Sequence, residues 1–245
     1  MRLTCFYLLL RCDDQESKSM KIRIIIYCLL LATLCVGCNG QRHMRELERL
    51  EAQVDSVPHL VSQALDSMPS RRFRGEARAL YALLKTQADY KCFVPITSDS
   101  LIRYATDYYD GNCKSYRAAM AHYSLGCVYS ELKDDAAAIE AYLRAQSLFP
   151  DTTVRYYRLC YQNLGKHYMK KNMVDEALQA YLSYHTLSQG SNWPYADIKL
   201  AQAYIRKRMP KQANALLTNL LQYRESIDDI SFENILFELE IGRAS

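Results

Sequence analysis

The chain has 245 residues, 49% hydrophobic and 24% charged, a composition that excludes wholesale disorder and suits one large domain or two small ones. Eight glycines and six prolines are too few for a protein of many short strands and turns. The 31 basic residues exceed the 27 acidic ones by only four, too small an excess to imply nucleic acid by itself.

Residues 1–19 carry Asp13, Asp14 and Glu16 and precede a second start at Met20, so they read as a misassigned translation start. Lys21 and Arg23 supply a short basic head, and Ile24–Leu34 follows as an unbroken apolar run. A bilayer-spanning helix needs about 20 residues, so this shorter run suits the hydrophobic region of a secretory signal. Five of the nine cysteines (Cys5, Cys12, Cys28, Cys35, Cys38) fall in this part of the chain. The run ends in Leu34, Cys35, Val36, Gly37 and Cys38, with a small residue immediately before a cysteine. That ending resembles a bacterial lipoprotein signal, in which cleavage precedes the cysteine and its thiol carries the lipid. The resemblance implies a signal segment over 1–37, its lipoprotein signal peptide over 20–37, and a lipid anchor at Cys38. Cys35 stands where that family favours Leu. A cleaved signal without lipid and an uncleaved anchor are the rival readings. No acidic run follows Cys38, which favours a periplasm-facing address in the cell envelope. The Cys35-x-x-Cys38 spacing lies outside any βαβ pattern and so argues against a redox site.

Residues 38–70 read as anchor, linker and two short helices broken near Pro58. In 71–112, Ala77, Leu80, Tyr81, Leu84 and Ala88 recur at helical spacing, and Asp99–Tyr109 is the expected partner helix. Phe93–Thr97 makes the turn between them long, so this unit reads as a degenerate repeat. The remaining cysteines, Cys92, Cys113, Cys127 and Cys160, show no zinc spacing and read as small helical hydrophobes.

From residue 113 onward a period emerges. Leu125, Gly126, Tyr129, Ala138 and Tyr142 recur 39 residues later as Leu164, Gly165, Tyr168, Ala177 and Tyr181. A third copy follows 36 residues on as Leu200, Ala201, Tyr204, Ala213 and Leu217. Each copy reads as two amphipathic helices joined by a polar turn, with Asp134, Asp135 and Asn172 placed to cap the second helix. A helix-interior glycine costs about 1 kcal/mol relative to alanine, so a side chain must be excluded at Gly126 and Gly165. Close approach of the paired helix at its small residues Ala138, Ala177 and Ala213 is the simplest expected cause.

This pattern, completed by Ala145 and Pro150 in the first copy, resembles the tetratricopeptide repeat. The match is strong over 119–189 and weaker to about 222. It implies an all-α fold, a right-handed α-solenoid of antiparallel helix pairs, with about three repeats over 113–245 and an unfinished last helix. Ser231–Ile241 is apolar around most of its circumference, where a solenoid end ordinarily carries a polar cap.

In the resembling family the first helix of each repeat lines a concave groove that receives a protein or peptide. Carried over, the groove positions are Tyr123, Cys127 and Ser130; Gln162, Lys166 and Lys170; and Ile198, Gln202 and Arg206. Lys166, Lys170 and Arg206 imply a mildly cationic groove for an acidic or extended segment. Twenty tyrosines against six Phe and one Trp suit both packing and a binding surface.

No nucleophile elbow, phosphate loop or H-E-x-x-H motif occurs, and the five histidines are scattered without ligand spacing. The reading is therefore a non-enzyme with no cofactor and no metal. Arg71, Arg72 and Arg74, and Arg206, Lys207, Arg208 and Lys211, form basic clusters, but an exported chain meets no chromosomal DNA, so no nucleic-acid partner is expected. The leading expectation is a membrane-anchored scaffold for protein–protein interaction. The alternatives are the exported sensor half of a membrane signalling or transcription regulator, and a glycan-binding lipoprotein, the latter disfavoured because Trp193 is the only tryptophan available for sugar stacking.

Overall fold

The computed structural model describes residues 41–111, 115–188 and 194–221, and residues 232, 233, 236, 237, 239 and 240 of a last helical segment. The signal segment, Cys38, Cys113 and Trp193 lie outside the described residues. The chain divides between Ala52 and Gln53 into two compact units. The first holds helix α1 (41–51). No helix among the described residues is long and apolar enough to cross a membrane.

The second unit opens with α2 (Pro58–Ser67), whose proline occupies the first helical turn, where its missing N–H costs nothing. A short 3-10 turn (Ser70–Arg72) leads into four helix pairs. These are α3 (Gly75–Lys91) with α4 (Ser100–Asp110), α5 (Tyr116–Glu131) with α6 (Asp135–Leu148), α7 (Arg155–Lys170) with α8 (Val174–Ser188), and α9 (Tyr195–Arg206) with α10 (Pro210–Leu221). Each helix packs on the next, and the first helices also touch one another, α3 on α5 and α5 on α7. The first helices α3, α5 and α7 therefore form a continuous layer along one face of the stack.

One turn geometry joins every pair. Phe93, Lys133, Asn172 and Arg208 all hold positive φ, at 56°, 63°, 59° and 60°. The amide of the following residue donates to a carbonyl five residues earlier: Val94 to Asp89, Asp134 to Tyr129, Met173 to Tyr168 and Met209 to Tyr204, each at 2.9 Å. This is the Schellman closure, which satisfies the carbonyls a helix end leaves open. Each left-handed residue lies seven positions beyond Thr86, Gly126, Gly165 or Ala201, which places α3 in the register of the other first helices. Asp134 caps α6 by accepting from the Ala137 amide at 3.0 Å. Asn172 does not cap α8, contrary to expectation; it is the left-handed turn residue, and its side chain accepts from Arg206 at 3.3 Å. Asp135 is likewise not a cap but binds His167 and Lys170.

L-residues pay roughly 1–2 kcal/mol for the left-handed conformation, which glycine avoids at a smaller entropic cost in the unfolded chain. Exposed Lys133 should therefore accept glycine with a gain of about 0.5–1 kcal/mol, measurable by urea unfolding of Lys133→Gly.

The core repeats with the chain. Cys127, Ala138, Tyr142, Leu164 and Ala180 form one buried cluster, Leu178, Tyr181, Leu200 and Ala203 a second, and Ile198, Ala201, Ala213, Leu217, Leu220 and Leu239 a third. The excluded volume at the two glycines comes from a source the repeat pattern did not identify. A Cβ built on Gly126 would lie 2.6 Å from Tyr142 Cε1, and one on Gly165 would lie 2.5 Å from Tyr181 Cε1. The tyrosine ring, rather than a close backbone approach at alanine, demands the glycine. In the fourth pair Leu217 replaces the ring and Ala201 replaces the glycine, both fully buried.

Candidate functional site

The layer of first helices encloses a cavity of about 180 Å³ between α3, α5 and α7. Thr86, Gln87, Tyr90 and Lys91 line it from α3; Met120, Tyr123, Ser124 and Cys127 from α5; Arg155, Tyr156 and Leu159 from α7. The Tyr123 ring packs edge-on against Tyr142 and Tyr156, with centroids 5.6 and 5.0 Å apart, and its hydroxyl accepts from Asn163 at 3.4 Å. Such pairs fix ring orientation beyond simple area burial. Tyr142 donates to the Cys127 sulfur at 3.5 Å. Burial pushes the Cys127 thiol up to about 11 against the hydrogen bonds of the surrounding tyrosines, so it stays protonated and unreactive at neutral pH. Burial also raises the hydroxyls of Tyr123 and Tyr142 well above the usual phenol range. The tyrosine hydroxyls of the wall, on Tyr90, Tyr123 and Tyr156, are thus uncharged at neutral pH.

Its charge lies at one rim. Lys91 Nζ is 2.8 Å from Asp55 Oδ1 and 3.2 Å from the Tyr156 hydroxyl, which itself donates to Asp55. Burial alone would raise the Asp55 carboxyl, but the hydrogen bonds of Lys91 and Tyr156, with the fields of Lys91 and Arg155, hold it below the ordinary carboxylate range. Arg155 is exposed at the same rim.

The sequence-predicted groove residues fall in several different places. Tyr123 and Cys127 line the cavity. Lys166 is exposed, and its field reaches Cys127 from α7, while Gln162 is half-buried on the same helix. Lys170 and Arg206 are engaged at the turns, Lys170 with Asp135 at 3.1 Å and Arg206 with Asn172. Gln202 accepts from Lys199 at 3.1 Å on its own helix. Ser130 is buried. Ile198 is a correction: it is 4% exposed, packed among Ala201, Ala213 and Leu217, because the fourth pair turns this position into its core.

The cationic residues that do line the cavity, Lys91 and Arg155, were not anticipated. Lys91 stands five residues after Thr86, as Lys170 stands after Gly165 and Arg206 after Ala201, so the repeat register would have found it once extended to α3. Asp55 offers no such signal, being 101 residues from Tyr156. The scattered histidines acquire partners from adjacent helices: His122 with Asp110 at 2.8 Å, His167 with Asp135 at 2.6 Å, and His185 with Asp197 at 2.5 Å. These join α4 to α5, α6 to α7, and α8 to α9, so each junction between successive pairs carries one. No group of three or more His, Cys, Asp or Glu side chains suited to a metal occurs among the described residues.

Helix pairs in this register, joined by left-handed turns and stacked through their first helices, define a right-handed α-solenoid of the tetratricopeptide type. The family model described as "Tetratricopeptide repeat" matches residues 119–152, which span most of α5, all of α6 and the residues just after them, so the chain carries a tetratricopeptide repeat there. Its fold is similar to a solved structure described as the crystal structure of MamA protein. The TM-score is 0.50 at 20% sequence identity, over 83% of this chain and 93% of that one. No curated protein matches the sequence.

Proposed function

We propose that this protein is a lipid-anchored interaction module of the bacterial cell envelope, periplasm-facing, that scaffolds a partner by holding an extended segment along its first helices. The observation that carries the reading is the open cavity between α3, α5 and α7, walled by Tyr90, Tyr123 and Tyr156 and bordered by Lys91 and Arg155. Tyrosines bury area and offer a hydroxyl at low conformational cost, and they are enriched where proteins bind proteins. Burial keeps the Cys127 thiol protonated, which supports recognition over thiol chemistry at this cavity. Anchoring rests on the Gly37–Cys38 ending of the apolar run.

Crosslinking in intact membranes tests both parts. Wild-type protein is expected to fractionate with membranes and capture a protein through its first helices. Cys38→Ser should release it into the soluble fraction and lose the lipid label, and Lys166→Glu should reduce capture at least severalfold. Unchanged fractionation of Cys38→Ser would defeat the anchor. Crosslinks confined to the second helices α4, α6 and α8 would defeat the groove.

A further inference from the structure

Asp55 is the feature that neither the repeat nor the groove reading absorbs. It belongs to the segment before α2, yet its carboxylate is seated on Lys91 at the end of α3 and Tyr156 at the start of α7. Those two residues are brought together only by the stacking of the first helices. The eleven residues lining the cavity include two cations, Lys91 and Arg155, and no carboxylate. Glu131 bears on Tyr90 through its field alone. The positive rim is therefore matched by a single acidic group delivered from a distant part of the same chain. That group is half-exposed, with 47% of its side-chain surface open, so it occupies the rim without being locked into a core.

We infer that Lys91, Tyr156 and Arg155 form a carboxylate-reading site held in cis by Asp55, and that an acidic extended segment of a partner protein binds by displacing it. This rests on the groove reading above and adds its charge selectivity and its gate. The alignment is chemical: the Lys91 ammonium and the Tyr156 hydroxyl both donate to one oxygen of Asp55, an arrangement that any incoming Asp or Glu side chain reproduces. Arg155, exposed beside it, leaves room for a second acidic residue of the same segment. The aromatic wall of Tyr123 and Tyr90 then takes the neighbouring backbone and apolar side chains. An internal carboxylate competes as an intramolecular ligand, at an effective concentration that linked groups commonly bring into the millimolar range. Affinity for the outside segment is lowered by the fraction of molecules in which the site is already filled.

The test uses the full chain in mild detergent and a fluorescein-labelled hexaglutamate peptide, read by anisotropy, with hexaglutamine and hexalysine as controls. Asp55→Asn should tighten hexaglutamate binding about tenfold, as expected for removing a competitor that fills most molecules. It should leave hexaglutamine unchanged, and adding Lys91→Met to it should reverse the gain. In wild-type protein, amide exchange over residues 53–57 should rise when hexaglutamate saturates, since the strap leaves its seat. No tightening in a helical, cooperatively unfolding Asp55→Asn overturns the inference, and so does an equal gain with hexaglutamine. If Asp55→Asn does not fold, the wild-type exchange experiment decides: saturation without a change at 53–57, or no binding of hexaglutamate at millimolar concentration, also overturns it. Groove crosslinks to a native partner alongside a failed Asp55→Asn result would leave the interaction module standing and remove only the gate.

Discussion

Gly126→Ala should destabilise the protein by about 1–2 kcal/mol, even though alanine is the better helix former by about 1 kcal/mol. The added Cβ meets three ring carbons of Tyr142 at 2.6, 2.7 and 2.8 Å. That ring cannot retreat. It is 1% exposed, edge-packed on Tyr123, and 5.9 Å centroid to centroid from His167, with its hydroxyl committed to Cys127. Overpacking a filled core costs about 1–3 kcal/mol, which outweighs the propensity gain. Gly165→Ala should behave alike against Tyr181.

The fourth helix pair supplies the compensating change, because it already carries Ala201 opposite Leu217. Tyr142→Leu alone should be destabilising, as it empties the space beside Gly126 and removes the donor to Cys127. Combined with Gly126→Ala it should cost less than the two separately, with a favourable coupling of about 1 kcal/mol or more in a urea double-mutant cycle. Strictly additive effects would remove the ring-for-glycine exchange as the reason for the repeat's glycine. The same ring supports Tyr123 in the cavity wall, so Gly126→Ala should also weaken groove binding. A residue chosen for packing thus sets the geometry of recognition.

The period was readable because three copies share small and aromatic residues at identical offsets, and packing constraints of that kind repeat in the letters of the sequence. The cause behind the glycine was not readable, since the pattern shows that Gly and Tyr recur without showing that one ring fills the other's missing side chain. The α3–α4 pair was only partly visible: Thr86 stands in the glycine's place, and its left-handed turn residue is Phe93. Left-handed turns usually announce themselves by glycine; here the four positions hold Phe93, Lys133, Asn172 and Arg208, so only backbone angles reveal their equivalence. Within the site, Tyr123 and Cys127 followed from the register, while Asp55 did not. A contact made by one residue from before the array has no periodic signature. Ile198 holds the same register position but packs into the core of its own pair against Ala213 and Leu217, which the repeat offsets do not reveal.

Acidification should weaken the junction between the second and third pairs through His167 and Asp135. His167 is fully buried, its Nδ1 lies 2.6 Å from Asp135 Oδ1, and its Nε2 has no hydrogen-bond partner. Burial holds the imidazole below its ordinary 6.5 despite the attraction of Asp135, and the fields of Lys170 and Lys166 act in the same direction as burial. At neutral pH the ring is therefore uncharged, with Nδ1–H donating to the carboxylate. Burial tends to raise Asp135, but the hydrogen bonds from His167 and Lys170 prevail and hold it below its ordinary 3.8. Both groups bind protons more weakly folded than unfolded, so the stability each contributes is complete above its unfolded value and declines as pH falls below it. Urea stability should be flat between pH 8 and 7, decline below about 6.5 by at most about 1.4 kcal/mol per pH unit for the histidine, and decline again below about 4 as Asp135 titrates. His167→Asn, which places an amide donor near the Nδ1 position without a titrating ring, should abolish the first decline and keep the second. Asp135→Asn should cost about 1.5–3 kcal/mol at pH 7, the range for a hydrogen bond to a charged group, and should make the second decline shallower, leaving the share of other lowered carboxylates such as Asp55 and Asp99. A first decline that persists in His167→Asn would assign it to another group. Because α6 and α7 carry this pair while α5 and α7 carry the groove, the acid response should appear in binding as well: affinity at the cavity should fall between pH 7 and 5.5 in wild type and hold steady in His167→Asn.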